Sequence, residues 1–451
     1  MKHFNFILLA GFAGLFYSCS DEEKNGVVDN NPSEVPVAMC SVSALKNAAH
    51  KINPEEAEKL ALELVNSYSS SNGLKDCKMH NVSNIQVVGR NTRGLKSSGN
   101  LLKDTMAYIV NFSDSTGFAY VAADNRVTTP VIAFFDRGNL NAESLSEKSS
   151  LSFMLEKANS YIQSAIVNFE ENKEYFEEIV KEVEEKDGFD VNRTKASATQ
   201  SISNRKGPFL TTQWSQGTPF NMAFPTCSVS GCNEKAICGC TSIGLAQIMN
   251  KWRFPERIGN TNIPWDFINS VPYSQQNMIN VFGQRSLLIR RVAEGCKTTY
   301  HCGNHNGSGG SVKKGLAWME SLGYSTRRTS YDGNEIINHL NNKQNPIEID
   351  GRNAADEGHV WVLDGFITVK YSVPVVVTYS NGKKGTVVQN NYVNFIHNNW
   401  GWEQGVANGY FISGSFYTGN PYGEYDNPRV RLVEDDDFDQ SVSVTYIEIK
   451  K

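Results

Sequence analysis

The stretch Ile237-Cys238-Gly239-Cys240-Thr241-Ser242-Ile243-Gly244-Leu245-Ala246-Gln247-Ile248-Met249-Asn250-Lys251-Trp252-Arg253-Phe254-Pro255 constrains this chain more than any other. Ile243, Ala246, Met249 and the Lys251–Trp252 pair read as a largely buried helix that Pro255 ends. Cys240 falls at or just before the first turn. Unpaired N–H groups at a helix start favour a thiolate and lower a thiol pKa from about 8.5 toward neutrality, which makes a nucleophile. A cysteine at that place also serves packing or a disulfide, so position by itself leaves both readings open.

The 451 residues are 40% apolar and 11% aromatic, enough to bury such a core and to exclude a wholly disordered chain. With 36 Gly and 14 Pro the chain is not collagen-like. A net charge of -5 and a pI near 6.0 give no electrostatic case for nucleic acid. No apolar run of 18 residues lies beyond the N-terminus, which excludes a multispan membrane protein. At the N-terminus, Met1-Lys2-His3 followed by the apolar run Phe4–Tyr17 reads as an export signal over 1–18. Cys19 directly after it resembles a bacterial lipoprotein cleavage site, although Phe16 and Tyr17 are bulkier than the usual small residues. Ser20-Asp21-Glu22-Glu23 resembles a surface-export signal and is equally a solvated charge run. The expectation is a lipid on Cys19, a flexible tether over 19–42, and a place on the outer membrane or cell surface. Nine cysteines, at 19, 40, 77, 227, 232, 238, 240, 296 and 302, agree with export; Cys40 and Cys77 could pair, and the remaining connectivity stays open.

Asn53-Pro54 opens a helix whose apolar face is Ala57, Leu60, Ala61, Leu64, Val65 and Tyr68. Met106–Phe112, Phe118–Ala123 and Val131–Phe135 read as strands, and 151–185 as helical. Residues 43–191 are therefore expected as an α+β domain of their own. The run 192–206 carries four basic residues, no acidic ones and almost no apolar ones, and reads as an exposed, easily nicked linker. From 207 the composition shifts to Trp, Gly, Asn and Cys, with short strands Val360–Leu363, Pro374–Thr378, Tyr392–His397 and Gly409–Ile412.

Four segments in order carry a resemblance. Gly239-Cys240-Thr241-Ser242 with Ala246-Gln247-Ile248-Met249 is similar to the nucleophile helix of the streptopain family, secreted bacterial cysteine proteases of papain-like fold made as zymogens. Gln216-Gly217-Thr218-Pro219-Phe220-Asn221 resembles that family's Gln-Gly-x-Pro-Tyr-Asn segment, with Phe for Tyr. Gly358-His359-Val360-Trp361-Val362-Leu363-Asp364-Gly365 resembles its histidine strand, and Asn398-Asn399-Trp400-Gly401-Trp402 its Asn-Trp-Gly-Trp segment. Tyr300 to Ser311 resembles a glycine-rich loop beside the substrate cleft, departing from it by an extra His and Cys. Gly117–Arg126 and Pro130–Phe134 look like the family's inhibitory propeptide.

The resemblance implies an α+β protein, a papain-like catalytic domain over 207–451 behind an inhibitory prodomain over 43–191. It implies Cys240 as nucleophile, His359 as general base and Gln216 as oxyanion donor. Asn399 would accept from the distal ring nitrogen of His359, with Trp400 covering that bond; Asn398 is the competing residue and His397 and Asp364 are structural. Trp400, Gly309, Gly310, Ser311 and Gly358 would border the substrate. The expected partners are protein and peptide substrates, preferably with an apolar residue two positions before the cleaved bond, and the chain's own propeptide. No metal or organic cofactor is needed. His301-Cys302-x-x-His305 with Cys227, Cys232 or Cys238 raises a zinc reading, against which disulfides suit an exported chain better. Two rivals are an inactive surface binding protein of the same fold and a thiol transpeptidase using the same residues.

Overall fold

The computed structural model describes residues 44–45, 50–71, 79–89, 105–140, 150–174, 176–178, 181, 192–193, 199–227, 234–272, 274–302, 307–352, 358–378, 384–401, 408–413 and 442–450. All of them lie in one compact unit, Val37–Lys451. The export signal, Cys19, the tether, Cys40, Cys77, Cys232 and His305 fall outside the described residues. Among the described residues no helix is long and apolar enough to cross a membrane.

Helix α1 (Pro54–Ser70) starts where the sequence places it: the Asn53 side chain accepts from Glu56 N at 2.8 Å, and Pro54 occupies the first turn. Ala57, Ala61, Leu64, Val65 and Tyr68 are buried, and Leu60 packs against them half-buried. That face covers an antiparallel sheet of β1 (Val82–Gly89), β2 (Thr105–Phe112), β3 (Phe118–Ala122) and β4 (Val131–Phe135). The β2–β3 turn needs Gly117 at φ +119, because a Cβ there would lie 1.9 Å from the Phe135 carbonyl oxygen. Helix α2 (Ser150–Glu171) follows.

The expected linker departs from its reading. Asn192–Arg193 (β5) and Thr199–Lys206 (β6) are strands, while 194–198 lie outside the described residues. Both pair with β11 (Gly358–Thr378), β6 running from Lys206 opposite Phe366 to Thr199 opposite Ser372. Strand β6 also lies on α1: Gln200 Nε2 donates to Leu60 O at 3.1 Å, and Ile202 N to Ser67 Oγ at 2.8 Å. Its side chains are mostly polar, and backbone pairing to a neighbour far along the chain, which no local pattern encodes, makes it a strand.

In the second half, helix α3 (Cys240–Trp252) is buried from Thr241 to Asn250. The short pair β7 (Arg257–Ile258) and β8 (Thr261–Asn262) leads to α4 (Trp265–Ile268), α5 (Gln275–Gly295), α6 (Val312–Ser321), β9 (Tyr324–Ser330), α7 (Gly333–Asn342) and β10 (Ile347–Arg352). Strands β11 and β12 (Lys384–Asn399) form a long hairpin, so the expected strands Val360–Leu363 and Pro374–Thr378 are parts of one. Strands β13 (Gly409–Ile412) and β14 (Ser443–Ile449) complete the sheet.

The strand order is β1-β2-β3-β4-β13-β12-β11-β10-β14-β9. The joint between the halves is β4 against β13, with Phe134 opposite Tyr410 and Ala133 opposite Phe411. The two expected domains thus share one continuous sheet. Strand β11 serves two cores by alternation: Val362 packs with α3, while Trp361 and Leu363 join the core on the other side.

A buried carboxyl in this sheet is shifted far from its ordinary value. Glu348 on β10 has no exposed surface, and burial, reinforced by Asp350, pushes its carboxyl up to about 8. Arg328 Nη1 is 3.6 Å from it but 2.5 Å from Asp350 Oδ1. A carboxyl raised in the fold favours the protonated native state, so this contribution is full below the unfolded pKa and is lost as pH rises through about 8. The unfolding midpoint is expected to fall between pH 5 and 8, and Glu348→Gln to flatten that fall; calorimetry across this range measures it, and parallel slopes would refute it.

Candidate active site

Cys240 is the first residue of α3. Gly239 before it takes φ +82, and a Cβ there would lie 2.9 Å from the Ser308 carbonyl oxygen. Glycine therefore lets the chain turn into the helix tight against the 299–310 loop. The first intrahelical bonds come from Ser242 N and Ile243 N to Gly239 O. The N–H groups ahead of them face out of the helix start, as at any N-terminus.

The Cys240 thiol is partly buried, with the backbone N–H of Val360 and Thr241 close enough to draw its pKa down. Val360 follows His359 at the start of β11, so helix start and strand start meet at the sulfur. Burial nevertheless outweighs these neighbours and raises the thiol pKa. The helix-start argument alone points downward; in this chain desolvation wins. Burial likewise pushes the His359 imidazole down to about 3, with the Trp400 carbonyl opposing it. Both groups are therefore neutral in this state.

His359 Nε2 lies 3.2 Å from Trp400 O. A carbonyl only accepts, so Nε2 carries the proton and Nδ1 is left to accept one. The ring lies nearly parallel to those of Trp361 (5.8 Å, 8°) and Trp400 (6.2 Å, 23°). Trp400 is fully buried, and Phe411 meets its edge at 5.8 Å.

Asn399 does not take the expected place beside the His359 ring. Its Oδ1 accepts from Gln247 Nε2 at 3.1 Å and Gly401 N at 3.3 Å, and its Nδ2 donates to Thr212 O at 3.0 Å. The orienting acceptor is the main-chain carbonyl of the next residue, which Asn399 holds from behind. Asn398 is bonded elsewhere, its Oδ1 to Trp361 Nε1 at 2.8 Å. His397 Nδ1 and Asp364 Oδ1 pair at 2.6 Å, and Asp364 Oδ2 accepts from Leu210 N, a structural use of both.

Gln247 is the residue that sequence reasoning missed. It is fully buried, two turns into α3, and its Oε1 accepts from Thr212 Oγ1 (2.8 Å) and Trp214 N (3.3 Å) while its Nε2 holds Asn399. One carboxamide thus ties helix, β12 and the segment leading to Gln216. An amide in the middle of the apolar run Ile243–Met249 was the available signal, since buried polar groups require partners.

Gln216 is partly buried, and its carbonyl accepts from Cys238 N at 2.9 Å, which holds this loop beside the approach to Cys240. The Gly310 carbonyl accepts from Thr241 Oγ1 at 3.2 Å, bringing the glycine loop to the helix start. Gly309 and Gly358 are exposed, and a Cβ on Gly309 would meet nothing within 4 Å. Ser311 has a structural use, as its Oγ caps α6 by accepting from Lys314 N at 3.3 Å. Cys227 and Cys302 form a disulfide, which removes both from the zinc alternative, and Cys238, Cys240 and Cys296 are free thiols.

Residues 214–411 match the model of the peptidase C10 family, and residues 49–162 that of the Spi protease inhibitor. No curated protein matches the chain. Among solved structures, the Prevotella intermedia prointerpain A fragment is 17% identical, with 80% of this chain and 98% of that one covered and a TM-score of 0.47. Active wild-type interpain A of the same organism is 18% identical, with 54% and 95% covered and a TM-score of 0.37.

Gln247→Ala leaves Asn399 Oδ1, Thr212 Oγ1 and Trp214 N without this partner. At about 1–3 kcal/mol for each buried polar group left unsatisfied, the variant is expected to lose about 3 kcal/mol of unfolding free energy or more. Urea denaturation reads this directly, and a loss under about 1 kcal/mol would show the carboxamide to be dispensable.

Proposed function

Because the chain belongs to the peptidase C10 (streptopain) family and carries a Spi-type inhibitor segment ahead of its peptidase segment, it is a cysteine peptidase made as a zymogen, and we propose that Cys240 and His359 perform its chemistry. The observation that carries this assignment is the place of Cys240 at the start of a buried helix that packs on Val360, the residue after His359. In the active enzyme His359 Nδ1 takes the thiol proton, and the thiolate attacks the scissile carbonyl carbon. The oxyanion that forms is held by the Cys240 N–H and the Gln216 amide. His359 then gives the proton to the leaving amine, and water hydrolyses the acyl-enzyme by the same route reversed. The Trp400 carbonyl keeps the imidazole in the required tautomer, and Asn399 and Gln247 hold that carbonyl. Gly309, Gly310 and Gly358 border the substrate backbone, where the absence of side chains leaves room.

Latency follows from burial. A neutral thiol beside a neutral imidazole attacks slowly, since the thiolate is the nucleophile. Removal of the prodomain admits water and lets the ion pair form. The prodomain of this reading is exported with the enzyme, lipidated at Cys19, and severed between Arg193 and Thr199. A protease cutting inside 199–206 would first have to strip β6 from β11, which disfavours a cut within that strand.

Cys240→Ala and His359→Ala should each abolish peptide hydrolysis with the fold retained, because nucleophile and base act as a unit. Cys238→Ala should keep substantial activity: its thiol is buried against Phe220 O at 3.5 Å and burial raises its pKa. Labelling with a thiol-directed epoxide and mapping the modified residue checks the register, and a label on Cys238 would overturn it.

In the uncleaved chain, alkylation of Cys240 by iodoacetamide should rise with pH only above the ordinary thiol range, since burial raises its pKa. After processing the same rate should climb at near-neutral pH or below. Identical pH profiles before and after cleavage would remove this account of latency. N-terminal sequencing of the active form locates the cut, and a mature N-terminus before 186 would contradict the proposed site.

A further inference from the structure

The disulfide Cys227–Cys302 joins residues 75 apart in sequence, with Cα atoms 5.7 Å apart, and both partners belong to segments that flank Cys240. Cys227 sits in a segment paired with 234–236: Cys227 N donates to Glu234 O and Ala236 N to Pro225 O, each at 2.9 Å. The latter runs directly into Ile237, Cys238, Gly239 and Cys240. Cys302 sits in the loop on the other side. Ile237 N donates to His301 O at 3.1 Å, and Ser308 Oγ bonds both His301 N (2.8 Å) and His301 O (3.2 Å). The same loop then presses on the nucleophile from both sides in sequence. The Ser308 carbonyl lies against Gly239, and the Gly310 carbonyl accepts from Thr241 Oγ1. A chain of short contacts therefore leads from the disulfide to the residues immediately before and after Cys240.

We propose that the Cys227–Cys302 disulfide is a positioning element of the catalytic cleft, so that the enzyme needs Cys240 reduced and Cys227–Cys302 oxidised at the same time. This inference rests on the assignment of Cys240 as the nucleophile. A dithiol reductant opens the bridge in two steps. One of its thiolates attacks the Cys227 sulfur, the less buried of the two, and expels the Cys302 thiolate. Its second thiol then closes on the first, forming a cyclic disulfide and releasing the Cys227 thiol. Two electrons and two protons pass to the protein. With the bridge open, the paired segments 225–227 and 234–236 separate from 299–302 and 307–310, and Gly239 and Thr241 lose the surface that sets the direction of the Cys240 sulfur and N–H. Turnover therefore passes through a maximum as the reductant strengthens.

The test uses the full chain processed to its active form. Active sites are titrated with a thiol-directed epoxide, and kcat per titrated site is followed across graded ratios of reduced to oxidised dithiothreitol, with alkylation of each cysteine mapped by mass spectrometry. The expected result is a constant kcat while only free thiols are alkylated. A roughly tenfold fall should follow at the ratio where Cys227 and Cys302 become alkylatable, with recovery on reoxidation. The double variant Cys227→Ser with Cys302→Ser should show the lower kcat at every ratio and no second transition. A purely stabilising bridge would shift the melting temperature and leave kcat per titrated site unchanged. Full kcat with Cys227 and Cys302 alkylated overturns the proposal, and this arm needs no variant to fold. Epoxide label on a cysteine other than Cys240 would instead overturn the nucleophile assignment, which separates the two failures.

Discussion

Strand β11 must satisfy two cores at once, and the site follows from how it does so. Val362 and Val360 face α3, and a Cβ on Gly244 of that helix would touch both valines at 3.5–3.7 Å, so helix and strand pack closely. Trp361 and Leu363 face the opposite core. A shift of register by one residue would exchange the two faces and bury each set on the wrong side. Register is thereby fixed, and His359 is held at the strand's beginning, where the first residue of α3 arrives. Gln247 then fixes β12 to the same helix through Asn399. The position of the Trp400 carbonyl, and with it the tautomer of His359, is set by packing and hydrogen bonds that lie behind Cys240 and His359.

The sheet explains how a prodomain reaches that machinery. Phe135 of β4 meets Phe411 of β13 at 5.5 Å, Phe411 meets Trp400 at 5.8 Å, and Trp400 lies along the His359 ring. A second line runs beside it. Tyr410 stacks on Phe134 at 4.9 Å, bonds Tyr68 OH at 3.2 Å, and packs its ring on His397. Arg205 of β6 donates to Tyr68 OH at 2.7 Å and lies over its ring. The prodomain is therefore continuous, through aromatic contacts, with Trp400 and the ring of His359. Its removal exposes β13 as a sheet edge and uncovers the backs of Trp400 and His397.

The four motifs, read in order, gave the fold class and the chemistry because each carries residues whose roles depend on local geometry: a thiol at a helix start, a histidine at a strand start, an amide in a loop. Helix α1 was legible to the residue, since its cap and its apolar spacing are local. Three features were not. Thr199–Lys206 reads as a linker because its strand character comes from partners some 160 residues away. The Asn399 role shifted because a motif specifies which residues are near the histidine, not which of their atoms faces it. The thiol pKa moved against the helix-start argument because desolvation depends on how the whole chain packs around the sulfur, which no local pattern states.

The strand character of β6 also changes what a single cut can achieve. A break between Arg193 and Thr199 leaves β6 attached to the peptidase half, still paired with β11 and still bonded to α1 through Gln200, Ile202 and Arg205. The β4–β13 pairing is untouched by such a cut. Severing the chain removes only the tether between the halves, which raises the entropy gained on separation but breaks none of the contacts that hold them. Departure of the prodomain then depends on the separate loss of three non-covalent seams, α1 on β6, β4 on β13 and β5 on β11. Covalent processing and the opening of the cleft are accordingly distinct events, and the interval between them is governed by the strength of those seams rather than by the processing protease.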